Sequence, residues 1–453
     1  MIMTRDRSFY KTFIAIFWPL VLQNIINLSV NVADNIMLGA YSAPAVAEAA
    51  LAGAASVNQI QFILQCLVGG VGGGLTVLGS QYWGQKRIEP IKKLCSIAFW
   101  VCLIFSALIF AACAIVPEGV IRIFISDGEV IAEGLKYLRV LKYSYIMFAV
   151  TSVLLSSLNC VEIVKVAFWV SIITLVVNVG LNYPMITAYG SAGAAAATVI
   201  SRGVALVYVI LYMAFRDNRL KLRLRDLRSF DKTLCIDFVK VASPVVAISG
   251  MWGFSNALSS IILGHMEMSK AIVAANSAAY TLYTLFKAGA QGAANAAGIV
   301  MAKTVGAGEI SKVKEYARTL QLIFIGIGIF SAALLFVTKD IVLAQYELTE
   351  EAMELAHQFI LVLCVCTFGM AYQMPTITGI IRGGGDTRFG MYNDLVSIWG
   401  IVLPVSALAA YVFKWPPVAV VACLNSDQIF KCGAAAFRCN RFRWVKKLTR
   451  DDK

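Results

Sequence analysis

Twelve apolar runs, each long enough to cross a bilayer at about 1.5 Å per helical residue, leave this chain little choice of fold. They fall near 13–38, 48–79, 93–116, 137–158, 164–186 and 192–215, then near 239–263, 271–301, 316–337, 355–381, 389–411 and 417–437. Hydrophobic residues make up 59% of the 453 and charged residues only 14%, where soluble domains carry about 25% charged. The expected class is an all-α integral membrane protein with twelve transmembrane helices.

A net charge of +13 would suit a nucleic-acid binder, but its distribution argues otherwise. The termini and the alternate connections that share their side hold 29 Lys and Arg, eight of them between Arg216 and Lys240. The opposite side holds seven: Arg122, Lys136, Arg139, Lys142, Lys270, Lys339 and Lys414. That bias is the positive-inside pattern, so we expect a cell-membrane protein with both termini cytoplasmic and no nucleic-acid partner. The eleven cysteines show no metal spacing and sit mostly within apolar runs, which excludes a disulfide framework or a zinc site. The first apolar run lacks a small-residue cleavage site and should remain as a helix.

The one long polar connection is basic and falls near the middle. It divides the chain into an amino-terminal six-helix lobe (1–215), a cytoplasmic linker (216–238) and a carboxy-terminal six-helix lobe with a basic tail (239–453). The lobes resemble each other. Pro19, Asn31 and Gly39 recur as Pro244, Asn256 and Gly264 at an offset of 225, and Gln81 to Gln85 compares with Lys303 to Ala307 at 222. Two pseudo-symmetric lobes repeated in parallel are the natural architecture, with substrate expected between them near the bilayer midplane.

Polar residues inside such runs are costly, about 2.5–3.5 kcal/mol for a central Asp, and point to function. Asn24, Asn27, Asn31 and Asp34 lie at steps of three and four and so stack on one helix face. In the fifth run Asn178 and Asn182 share a face; the sixth opens on small residues ending at Thr198. With the amino terminus inside, Asp34, Asn178, Asn182 and Thr198 reach one level in the outer half of the first lobe. A carboxylate ringed by amide and hydroxyl oxygens suits Na⁺, or a proton bound on the carboxyl itself. The plainer alternative is that Asp34 only bonds across the bundle to Asn178.

These residues carry a resemblance to a known family. Pro19 with Val32 to Gly39, the Gln81 to Gly84 turn, Asn178 to Tyr183, and Ile381 to Arg388 together resemble the multidrug and toxic compound extrusion (MATE) transporters, over essentially the whole chain. The resemblance implies two six-helix lobes around a central cleft and secondary active export of drugs or metabolites, by antiport against H⁺ or Na⁺ with alternating access. It also implies that Asp34, Asn178, Asn182 and Thr198 match the family's amino-lobe cation site. Some branches carry functional carboxylates in the seventh and tenth spans. Here Met251 to Leu263 and Phe359 to Ile380 contain no Asp or Glu, which moves the expected coupling wholly to the first lobe.

Lys287, about midway along the eighth run among Tyr280, Tyr283, Phe286 and Gln291, is a candidate substrate contact, as is Asn31. Facing the cleft, Lys287 would favour an anionic or zwitterionic group; otherwise it snorkels toward the inner surface. Asp427 and Lys431 read as a structural pair at i, i+4. Arg202 matches Asp427 by the 225 offset and has no assigned role, and His265 and His357 read as interfacial. The glycines from Gly69 to Gly74 suggest close helix packing, since no phosphate-loop Lys follows them, and Gly383 to Gly385 suggest a flexible turn. We expect a monomer in contact with membrane lipid, exporting a small amphipathic organic substrate, with no cofactor beyond the coupling ion and no metal beyond Na⁺ at Asp34. The alternative within the superfamily is a flippase for a lipid-linked sugar or other anionic metabolite. An intramembrane enzyme would need a nucleophile and base or metal ligands clustered at depth, and none is visible.

Overall fold

A computed structural model describes residues 3–39, 44–125, 127–223, 225–266, 269–344 and 349–450, apart from the side chains at 31, 32, 35, 39, 44–48, 269, 270 and 342. Among the described residues every regular element is helical. In order these are α1 (Arg7–Gly39), α2 (Pro44–Gly84), α3 (Ile88–Ile115), α4 (Pro117–Arg122), α5 (Gly128–Leu141), α6 (Tyr143–Cys160), α7 (Lys165–Tyr189) and α8 (Ser191–Phe215). They continue with α9 (Lys232–Gly264), α10 (Ser269–Gly306), α11 (Ile310–Leu343), α12 (Glu350–Met374), α13 (Thr387–Asp394), α14 (Leu403–Ala407), α15 (Pro417–Leu424) and α16 (Asp427–Asn440).

These make twelve long segments in two lobes. α5 and α6 follow one another through Lys142, and α12 runs on as a π-helix over Pro375–Ile381. α13 and α14 join through the π-helical Leu395–Val402 and continue as Leu408–Val412; α15 and α16 form the last segment. Ten segments within the described residues are long and apolar enough to span a membrane. The other two are α10 and α15–α16, which carry Lys287, Asp427 and Lys431. Proline explains part of the irregularity: Pro375 has no amide hydrogen to give to the preceding turn, and the helix there widens to π geometry.

The fourth segment differs from the expected 137–158. An amphipathic α5 precedes it, started by Asp127, whose carboxylate accepts from the backbone N–H of Glu129 (2.9 Å) and Val130 (3.1 Å). Its buried face presents Ile131, Tyr137, Leu138 and Leu141, while Glu129 and Arg139 lie on the other.

Packing divides the chain into two compact units that do not follow chain order. One holds Met1–Val21, Ser80–Gln85 and Ala247–Lys453; the other holds Leu22–Gly79 and Lys86–Val246. α1 and α9 each change unit partway along, after Val21 and after Val246, positions one repeat offset apart. Contacts repeat in the same way. A Cβ on Gly70 would lie 2.6 Å from Val246 Cα, and one on Gly292 would lie 2.4 Å from Val21 Cγ2. At the helix ends, a Cβ on Gly84 would fall 2.1 Å from the Lys303 carbonyl oxygen, and one on Gly306 2.0 Å from that of Gln81. Only glycine permits either approach, so the sequence repeat is a repeat of packing as well.

Gly383 to Gly385 correct an expectation, because the turn is packed rather than flexible. A Cβ on Gly384 would sit 2.0 Å from the Trp444 ring, which is fully buried, and Gly385 takes φ +106°. The tail then runs back along the end of α2. Gln81 Nε2 donates to Lys446 O (3.1 Å), Leu448 N–H to Gln81 Oε1 (2.8 Å), and Gln85 Nε2 to Thr449 Oγ1 (2.6 Å). In the same unit, Tyr316 donates to Asp6 Oδ2 (2.5 Å), a bond that holds this carboxyl below the usual carboxylate range.

Candidate functional site

In the unit that holds most of the first lobe, Asn27 and Asp34 of the α1 stripe both reach α7. Ser171 Oγ on α7 donates to Asn27 Oδ1 at 2.9 Å, and two turns further along α1 the half-buried Asp34 meets Asn182. Asn182 Nδ2 donates to Asp34 Oδ1 at 2.5 Å and also approaches Asn178 Oδ1 at 3.2 Å. Asn178 Nδ2 in turn points at Thr198 Oγ1 (3.4 Å), whose hydroxyl donates to the Ala194 carbonyl one turn back on α8 (3.1 Å). Asn178 and Asn182 are wholly buried. The four expected residues therefore form one continuous chain, with Asn182 rather than Asn178 holding the carboxylate directly.

Local sequence makes this possible. Asn178 and Asn182 lie one helical turn apart, so their amides align. Gly193 lets α8 start close against α7, since a Cβ there would fall 1.8 Å from the Met185 carbonyl oxygen. That approach brings Thr198 within reach.

Two residues join the group that sequence reasoning does not assign. Tyr137, buried on α5, lies beside Thr198 and Asn58; the only signal was a tyrosine opening an apolar run. Arg202 lies one turn beyond Thr198. Its Nη1 donates to Ser144 Oγ at 3.1 Å, and its guanidinium carbon lies 5.2 Å from the centre of the Phe148 ring on α6. It is also near enough to Asp34 for their opposite charges to attract. One acceptor stays open: Asn182 Oδ1 is buried and has no hydrogen-bond partner. The result is a donor set of oxygens around a single carboxylate. No group of three His, Cys, Asp or Glu able to hold a metal ion occurs among the described residues.

The other unit carries its own buried charges. Lys431 Nζ lies 2.9 Å from Asp427 Oδ2 on α16, the pairing expected, and also 2.8 Å from Asp394 Oδ1 on α13. Gln428 Nε2 reaches both Asp427 oxygens at 3.0 Å, and Gln373 Nε2 supports Gln428 at 3.0 Å. Lys287, half-buried on α10, places its ammonium 3.9 Å from the centre of the Trp252 ring on α9, with no carboxylate within ion-pair distance among the described residues. Beside it Tyr280 donates weakly to Asn256 Oδ1 (3.5 Å). Asn31, the residue that matches Asn256 by the repeat, has its side chain outside the described residues. His265 bonds its own helix at Ile261 O (2.9 Å), and His357 faces Asp340 at 3.4 Å; both belong to the surface.

Comparison with known proteins bears on the fold and its repeat. The MatE family model matches residues 19–184 and again 244–408, two copies that start at Pro19 and Pro244. The chain is 24% identical over 414 residues to the probable multidrug resistance protein NorM of Streptococcus pneumoniae, covering 87% of each. In fold it is similar to a MOP superfamily transporter from Pyrococcus furiosus, with TM-score 0.86, 16% identity, and coverage of 99% of this chain and 100% of that one. It is similar also to the eukaryotic MATE transporter AtDTX14, with TM-score 0.83, 18% identity and 97% of each chain covered. With a repeated family match over most of its length and the fold to go with it, the chain belongs to the MatE family of membrane transporters.

Proposed function

We propose that this transporter exports small amphipathic organic compounds, drugs or metabolites, by antiport against H⁺ or Na⁺, and that Asp34 couples the two. The observation that carries the reading is the Asp34–Asn182–Asn178–Thr198 chain with its unpartnered Asn182 oxygen. The single carboxylate among neutral oxygens, attracted by Arg202 but not ion-paired with it among the described residues, suits one monovalent cation: a proton on Asp34, or Na⁺ held by Asp34, the two asparagine oxygens and Thr198. The name of the pneumococcal relative, a probable multidrug resistance protein, supports export of drugs. The orientation that goes with this reading has both termini cytoplasmic in the cell membrane, and the working unit is a monomer.

A bound ion shifts a conformational equilibrium only by its differential affinity for the two states. Alternating access driven by the ion therefore requires that Asp34 be occupied in one facing state and empty in the other. Charge neutralisation at Asp34 would release its hold on Asn182 and its attraction to Arg202, and that is how occupancy would reach α7 and α8.

A second reading rests on Lys287. An ammonium that rests on the Trp252 face, with no carboxylate within ion-pair distance among the described residues, is open to a ligand, which favours an anionic metabolite. In the fold neighbour from Pyrococcus furiosus, reverse polarity of the binding pocket suggests a different function, and that supports the second reading.

Flux in proteoliposomes tests the coupling. With an imposed H⁺ or Na⁺ gradient, the protein should drive uptake of a fluorescent organic cation into inverted vesicles, and Asp34→Asn should bind that cation and fail to transport it. Gradient-driven transport at full rate by Asp34→Asn would place coupling elsewhere.

A further inference from the structure

We propose that the connection between α8 and α9 is a binding surface for anionic phospholipid headgroups. Between Arg216 and Lys232 it carries seven cations and three carboxylates, and the carboxylates are all turned inward. Asp217, buried, accepts from the backbone N–H of Arg219 (3.0 Å), Leu220 (3.0 Å) and Lys221 (2.8 Å). Asp226 accepts from Arg223 N–H (2.9 Å) and lies 3.6 Å from Lys92 on α3. Asp231 caps the start of α9 through Thr233 and Leu234 N–H and lies 3.3 Å from Lys93. Those contacts hold the Asp231 carboxyl below its usual range, with the Leu234 N–H the largest cause, so it stays charged and engaged at neutral pH.

The cations take the opposite course. Arg216, Lys221, Arg223, Arg225, Arg228 and Lys232 are exposed and form no ion pair among the described residues. The seventh, Arg219, is tied to the α6–α7 turn through Val161 O at 2.7 Å. Two exposed phenylalanines, Phe215 and Phe230, bracket the stretch.

Its depth decides what the six cations meet. Ser96 Oγ (2.8 Å) and Trp100 Nε1 (2.9 Å), both on α3, donate to the Leu227 carbonyl. Trp100 lies about 12 Å further into the membrane segment than Lys92, and tryptophan favours the level where headgroups meet chains. The middle of the connection is thus held down at the headgroup layer. Guanidinium and ammonium groups standing there, with phenylalanines to insert beside them, match lipid phosphates.

The experiment reconstitutes the full chain in nanodiscs of equimolar phosphatidylglycerol and phosphatidylcholine and counts retained lipids by native mass spectrometry. The protein should be enriched in phosphatidylglycerol. Combined Lys221→Gln, Arg223→Gln, Arg225→Gln and Arg228→Gln should cut that enrichment at least tenfold, since each cation near an anionic surface contributes about fivefold. Should the quadruple variant not fold, Arg223→Lys with Arg225→Lys keeps the charge and must retain enrichment, whereas Arg225→Gln with Arg228→Gln must lower it. Equal retention of the two lipids by the unaltered protein, or unchanged enrichment in the charge-removed variants, overturns the proposal. So does displacement of phosphatidylglycerol by millimolar inorganic phosphate, which would mark a site for free phosphate.

Discussion

Two buried charge clusters, one in each compact unit, meet the same cost in opposite ways. Around Lys431 the charges are closed on themselves. The ammonium touches carboxylates at 2.8 and 2.9 Å, and an amide covers both oxygens of Asp427. Around Asp34 the carboxylate meets one amide at 2.5 Å, and that amide's own oxygen is left without a partner. A closed cluster satisfies the cost of burial internally and has nothing left to offer a ligand. An open one is incomplete until something binds. Under the proposed function this difference, rather than burial, is what sets Asp34 apart from the Lys431 cluster, since residues of both are buried or half-buried.

The largest expected effect breaks the closed cluster. Lys431→Met would leave Asp394 and Asp427 side by side with no cation, and losing one partner of a buried pair costs about 3–5 kcal/mol. Thermal unfolding in detergent should show that loss. Asp34→Asn keeps a polar group of the same size beside Asn182 and should unfold within a few degrees of the unaltered protein. If both variants unfold alike, the distinction between closed and open clusters fails.

Much of this was legible in the sequence, for physical reasons that also mark where reading stops. Lipid imposes length and polarity on each helix, so twelve segments could be read from the positions and lengths of the apolar runs. The repeat was visible because the residues that recur, Pro19 with Pro244 and the turn ending in Gly84 with that ending in Gly306, stand where the backbone tolerates few substitutes. Asp34, Asn178 and Asn182 were legible because they follow helical spacing within α1 and α7, and Thr198 because it ends the small-residue opening of α8. Asp394 was not, for it meets Lys431 from 37 residues away, and no periodicity joins them. Tyr137 was missed likewise: its role depends on α5, which breaks the expected fourth span. Trp444 packs on Gly384 by a return of the tail that local pattern does not encode.

A smaller effect sharpens the open cluster from within. Asn182→Ala removes the bond to the carboxylate, and hydrogen bonds to charged groups contribute about 1.5–3 kcal/mol. Asn178→Ala removes two neutral, longer contacts, at 3.2 and 3.4 Å, near the weak end of the range for neutral bonds. Ion-driven export should therefore fall strongly in the first variant and partly in the second, with the ion concentration for half-maximal export raised in the same order. The reverse order would mean that the ion is held mainly on the Asn178 and Thr198 side.

The smallest effect on the fold is expected at Lys287, and it tests which class this lysine joins. It shares a unit with the closed cluster and feels the field of Asp427, yet its near contact is the Trp252 ring at 3.9 Å. A cation over an aromatic face contributes about 0.5–2 kcal/mol, well below the effect expected at Lys431. Lys287→Gln should accordingly leave thermal stability nearly unchanged. Transport should change instead: competition assays with a matched pair of amphipaths, one cationic and one anionic, should move toward the cation as the positive charge is removed. Were Lys287 a fourth member of the closed cluster, Asp427 would lose a partner in Lys287→Gln. The variant would then unfold early, as Lys431→Met does, with its substrate preference unmoved.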